Sequence, residues 1–316
     1  MRLFAAERFV VGFIAVLLVI DAALIAFKGI NVDYIGYFLC ALAGAGVFIL
    51  GQFYRKTGRD SGIAAALISS GLFILFSLVA SVFNYMFLPV AFPVIDQALF
   101  GVDAAFGYSW PDIVIWAATY PWIGKTLFMV YATSLPQLLL IIITLGFTGK
   151  DRMLHHFLVT GVIGAMVSIT FWIFFPTYGA KAYHELPQWV TQTIPLAVDP
   201  AYGRELMRLG QEGVSYLTPR NVLGLIGFPS FHIFMAAMSV WFVPRHRLVM
   251  AVILPLNFVM LLAVLVQGGH HLADVFGGLI AFVIVCAASA RLLNWMSARK
   301  RTGETVSVPA QLTAAE

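Results

Sequence analysis

Side chains able to do chemistry gather in two short stretches of this chain. One reads Gly227-Phe228-Pro229-Ser230-Phe231-His232, the other Gly269-His270-His271-Leu272-Ala273-Asp274. A carboxylate four residues after an imidazole shares its helix face. By accepting from one ring nitrogen it fixes the tautomer and leaves the other nitrogen as nucleophile or base. His270 and Asp274 have that spacing, and His271 forms a looser three-residue pair with the same aspartate. His232 heads a separate apolar run. Pro229 and Ser230 before it suit a helix start, where unpaired N–H groups attract anions. This set of groups suits phosphoryl transfer. His270 would attack phosphorus and Asp274 would stabilise its imidazolium. His232 would exchange protons with the departing and incoming oxygens, while Ser230 and backbone amides would hold the phosphoryl oxygens. Such a reaction also needs cations. Arg220, Lys181 and Lys125 are the candidates on the same side, with His271 a further phosphate contact. Histidine supplies the nucleophile, so neither a metal nor another cofactor is expected.

The elements that must carry these residues are membrane helices. Of 316 residues, 61% are apolar and 11% charged, with a mean hydropathy of +0.91. Soluble domains carry about 25% charged residues. Eight apolar stretches are long enough to span, at roughly 9–28, 34–54, 61–89, 122–147, 154–175, 228–243, 248–267 and 271–296; a span takes about 20 residues. The expected fold is an all-α, polytopic membrane helix bundle of about eight transmembrane helices. The first stretch has no clear cleavage site and reads as a retained span. Cys40 and Cys286 lie inside apolar runs and read as packing residues, not as a disulfide or thiolate site.

Lysine and arginine set the orientation. With a cytoplasmic N-terminus, 13 of them fall on the cytoplasmic side and 6 on the other, as the positive-inside rule requires. The net charge of +4 therefore reports topology and gives no reason to expect nucleic acid. The histidine stretches face away from the cytoplasm. Two longer outer segments remain, 90–121 and 176–227. In the first, Ser109-Trp110-Pro111-Asp112 has the form of a helix start. Trp110, Trp116, Tyr120 and Trp122 suit the headgroup level, and Asp96 and Asp103 read as solvated positions on an interfacial helix. The second segment reads as a partly helical cap. Asp21, inside the first span, reads as a packing residue; His155, His156 and His246 read as interfacial groups on the cytoplasmic side, and His184 is left unassigned. The tail 297–316 is polar and reads as disordered.

At the two histidine stretches the chain resembles the type 2 phosphatidic acid phosphatase superfamily. That family has Pro-Ser-x-His heading one span and His-x-x-x-Asp heading the span after next, here Pro229-Ser230-Phe231-His232 and His270 to Asp274. Gly227-Phe228, the paired His270-His271 and Phe175-Pro176-Thr177-Tyr178-Gly179 are closest to the inositol phosphorylceramide synthase branch. The resemblance covers roughly 90–296. It implies a six-helix phosphatase-like core over 61–296, two additional N-terminal helices in 1–60 and a cytoplasmic tail at 297–316. The phosphatase branch's Lys-x6-Arg-Pro motif is absent, and Val264 stands where that branch has an arginine. The phosphate clamp must then come from other cations, which tilts the expectation from hydrolysis toward transfer.

The expected activity is that of an integral-membrane lipid phosphotransferase or phosphatase. A phospholipid would be the donor, with a lipid alcohol or water as acceptor. A bacterial inner membrane with the site facing the periplasm suits the short loops. In a reading of a different class, the histidines and aspartate form the proton relay of a transporter.

Overall fold

In the computed structural model the described residues are 3–243 and 247–305, with side chains described through 298. Arg2, Arg245, His246 and the tail from 306 lie outside them. Among the described residues, six helices are long and apolar enough to cross a membrane: α1 (Ala5–Lys28), α2 (Tyr34–Thr57), α3 (Ser61–Tyr85), α8 (Asp151–Phe174), α12 (Arg247–Gly268) and α13 (Leu272–Thr305, apolar through Ala298). The chain is an integral membrane helix bundle. Lipid-facing side chains such as Val19, Phe38 and Ile49 are exposed on α1 and α2, as expected where the solvent is hydrocarbon. The polar tail begins as a continuation of α13 as far as Thr305, so its first residues are helical, not disordered.

Two of the eight expected spans take other forms. The run at 122–147 is divided into α6 (Pro121–Ala132) and α7 (Ser134–Phe147). Pro136 has no N–H, and its ring would meet the carbonyl of Ala132 in a continuous helix. The Thr133 and Ser134 hydroxyls donate to the Val130 and Tyr131 carbonyls in the last turn of α6. The run at 228–243 yields only α11 (Phe231–Phe242), 12 residues. At about 1.5 Å per residue it is about 18 Å long, short of the ~30 Å hydrocarbon thickness.

Between α3 and α8 the outer segment forms α4 (Asp96–Ala105) and α5 (Trp110–Thr119), and α5 meets α6 at 116°. Pro111 lies in the first turn of α5 after Ser109, as its sequence suggests, although the serine side chain makes no cap bond. Trp110 departs from expectation: it is buried with Val114 and Ala117 against α6 and α12, and only Trp116, Tyr120 and Trp122 are exposed. Residues 176–227 fold into a 3-10 turn at Ala180–Ala182, α9 (Gln188–Thr193), α10 (Pro200–Glu212) and a short strand β2 (Tyr216–Leu217). This strand pairs in parallel with β1 (Asn31–Val32), which ties the cap to the α1–α2 loop. Buried Gln267 fastens the cap to α12: its side chain accepts from Ala197 N and donates to the Gly124 and Pro195 carbonyls.

The two rims are distinct. At one, Arg55 makes a two-pronged bond to buried Glu7 at 2.6 and 2.7 Å, His155 lies 3.6 Å from that glutamate, and Arg152 donates to Asn294. His156 contacts the Cys286 carbonyl and Ser289 Oγ. The starts of α1 and α8, the end of α2 and the far part of α13 therefore meet there. The opposite rim carries the starts of α11 and α13, the end of α12 and the cap.

Candidate active site

Short α11 starts level with the first turn of α13, because Ser230 N donates to the Asp274 carbonyl at 3.1 Å. Close packing makes this possible. A Cβ on Gly278 would lie 2.5 Å from the Ser230 carbonyl, and one on Gly277 2.7 Å from the Phe228 ring. Ser230 caps α11, its Oγ accepting from Ile233 N at 3.5 Å.

His270 precedes α13 instead of lying within it, so its pairing with Asp274 is made across the lead-in turn. His270 Nδ1 lies 2.8 Å from Asp274 Oδ2, and the same oxygen accepts from His271 N at 3.0 Å. Both side chains are buried. His270 Nε2 faces Ser230 Oγ at 3.4 Å. The half-buried His232 ring lies 6.3 Å from the His270 ring, centroid to centroid. His232, His270, Asp274 and Ser230 are thus in one place, on one rim. Tyr131 of α6 stacks on His232, and Tyr108 donates to the His270 carbonyl at 3.0 Å.

Lys181 is the cation that joins them. It is 5% exposed, and its Nζ donates to the Gly268 carbonyl at 3.4 Å. Burial pulls its pKa down to about 8, against the opposing pull of Asp274 and Asp96. The other expected phosphate contacts lie elsewhere. Arg220 is exposed at the mouth of the cap and faces Asp33, the N-cap of α2. Lys125 is exposed on α6. His271 is fully buried, held between Asp103 (Nδ1 to Oδ2, 2.6 Å) and Asp96 (Nε2 to Oδ1, 3.5 Å). Burial works against charge on His271, but Asp96, Asp274 and Asp103 outweigh it and hold its pKa above the ordinary value.

Asp96 and Asp103 therefore differ from their sequence reading: both are buried and bonded, not solvated. Asp96 accepts from Thr177 Oγ1 at 2.6 Å, Gly179 N at 2.9 Å, Tyr178 N at 3.1 Å and Tyr183 Oη at 3.1 Å. Burial raises its pKa, yet the contacts from His271, Thr177 and Tyr178 prevail and hold it below the usual carboxylate value. The spacing Asp96, Phe100, Asp103 was the available signal, since it places all three on one helical face. Tyr131 carried no such signal, because nothing near it in sequence marks it as a partner of His232.

A family model described as "PAP2 superfamily" matches residues 97–288. The chain belongs to the PAP2 superfamily. No curated protein and no solved structure that it was compared with matches it. The PAP2 match takes in both histidine stretches, the cap and α5 to α12, and it begins one residue after Asp96. Membership fits a membrane-embedded lipid phosphatase or phosphotransferase in general, and α1 to α3 lie outside the matched region.

Proposed function

We propose that this protein is a lipid phosphotransferase working through a phospho-histidine. The observation that carries the reading is the order His232, Ser230, His270, Asp274 on one rim. With its Nδ1 proton held by Asp274 at 2.8 Å, His270 keeps its Nε2 lone pair for phosphorus. Nε2 attacks, the bond from phosphorus to the leaving oxygen breaks, and His232 delivers a proton to that oxygen. His232 then takes the proton of the incoming hydroxyl, whose oxygen attacks phosphorus as the P–N bond breaks. Lys181 and Ser230 hold the phosphoryl oxygens, filling the role left open by the absent Lys-x6-Arg-Pro motif. Arg220 and Lys125 are outside this clamp.

The donor is a phospholipid and the acceptor a lipid alcohol. The likeness of Gly227-Phe228 and His270-His271 to the inositol phosphorylceramide synthase branch favours transfer to a sphingolipid-type alcohol over hydrolysis. The lysine and arginine distribution favours a bacterial inner membrane with the site at its periplasmic face. Clustering of His232, His270 and Asp274 at one rim supports an enzyme over a proton relay, which needs ionisable groups through the full thickness. The test is product analysis of purified enzyme with labelled phospholipid, with and without candidate lipid alcohols. Acceptor-dependent lipid product is expected. Free phosphate or a water-derived product at equal yield in both arms would make the enzyme a hydrolase, and no turnover of any phospholipid would end the reading.

A further inference from the structure

We propose that Asp96, His271 and Asp103 are positioning residues that lock the loop carrying Lys181 to the loop carrying His270. The proposal rests on the phosphoryl-transfer reading above and deepens it. Asp96, Phe100 and Asp103 project from one face of α4 and clasp His271 on three sides. The carboxylates face its two ring nitrogens, and the Phe100 ring meets it edge-on at 4.7 Å. The free oxygen of Asp103 accepts from Leu272 N at 2.9 Å, so this aspartate fixes both the side chain and the backbone at the start of α13.

Asp96 does the same for the other loop. Its four donors all come from residues 177–183 and bracket Lys181. Beyond this, the two loops meet through the Lys181 Nζ bond to the Gly268 carbonyl and through close backbone approach. Gly179 and Gly269 both have positive φ, and a Cβ on Gly179 would lie 2.7 Å from the Gly269 carbonyl. Lys181 lies along that backbone to reach Gly268. Its stem lies against the Gly269 backbone, with Nζ bonded to the Gly268 carbonyl and 5.9 Å over the Tyr202 ring, so its reach toward the phosphate depends on how the loops are registered. The imidazole between two carboxylates, with a short arm to Asp103 at 2.6 Å and a longer ion-pair arm to Asp96 at 3.5 Å, sets that register, because a buried charge is tolerated only while its partners stay in place. None of the three groups needs to touch substrate for this.

A double-mutant cycle on purified full-length protein tests the proposal, reading affinity for inorganic phosphate by titration. Asp96→Asn and Lys181→Met are each expected to weaken binding about tenfold, and the double variant to be no weaker than Lys181→Met alone. Full additivity, with both single effects present, would overturn the positioning role and leave the clamp intact. An Asp96→Asn variant that binds phosphate as the parent does would overturn it as well. If Lys181→Met has no effect, the clamp itself is wrong and the proposal falls with it. Should Asp96→Asn fail to give a monodisperse protein, Asp103→Asn replaces it in the same cycle with the same expected outcome.

Discussion

Tyr131 stacks on His232 with ring centroids 4.4 Å apart and planes 24° apart, and its phenol oxygen lies 3.4 Å from His232 Nδ1. The contact fixes the ring plane and occupies one nitrogen, so the other is left for proton exchange. Tyr131→Phe keeps the stacking and removes the hydrogen bond. A bond of this kind is worth about 1 kcal/mol, or about fivefold in rate. The variant should lose about that much kcat with KM for the donor nearly unchanged. A change confined to KM would place Tyr131 in substrate binding instead.

Asp274 and His270 should separate by degree. His270→Ala removes the proposed nucleophile and should abolish turnover while the protein stays folded and inserted. Asp274→Asn keeps the shape but no longer selects the tautomer with the Nε2 lone pair; for a comparable aspartate–histidine pair this costs about 10⁴ in kcat. Rapid quench with labelled donor should show an acid-labile phospho-enzyme in the parent, a slowly forming one in Asp274→Asn and none in His270→Ala. Full labelling of His270→Ala would move the nucleophile elsewhere.

Lys181 should give the phosphate clamp a basic limit. Its pKa is depressed to about 8 by burial, and only the ammonium form attracts phosphate. Below about pH 8 the charge is present; as pH rises through that value it is lost and KM for the donor should climb. Lys181→Arg, charged throughout, should flatten this limb even if its absolute activity is lower. Arg220→Ala and Lys125→Ala, both at exposed side chains, should leave the limb and the phosphate affinity within twofold of the parent (about 0.4 kcal/mol). Measuring KM from pH 6.5 to 9.5 (roughly the range that brackets the transition) decides it.

The sequence made the helices and the His270–Asp274 pairing legible because both have short-range signatures. Apolar runs mark helices by length, and Ser230, His232, His270 and Asp274 announce themselves by spacing. What could not be read was which distant charges converge. Arg220 is close to Ser230 in sequence but faces Asp33 on another helix, whereas Lys181, almost 90 residues from His270, is folded back onto it by the cap. Asp96 and Asp103 looked like the polar face of an interfacial helix because an amphipathic pattern does not say whether its polar side meets water or a buried imidazole. The break at Thr133 was legible in principle from Pro136, but the apolar content on both sides concealed it.

Gly269 links backbone geometry to the clamp, and a matched control exists. Gly269 and Gly149 have nearly the same φ, +63° and +64°, a region that costs an L-residue about 1–2 kcal/mol. A Cβ at Gly149 would meet nothing within 4 Å, whereas at Gly269 it would lie 2.6 Å from Lys181 Cδ and 2.8 Å from Lys181 Cβ. These are stem atoms, so the lysine as a whole must move, not just its tip. Gly149→Ala and Gly269→Ala should both lower the melting temperature through backbone strain, Gly269→Ala somewhat more. Only Gly269→Ala should weaken phosphate binding, to about the level of Lys181→Met. Equal phosphate affinity in the two alanine variants would mean that the Lys181 stem is not held against this backbone.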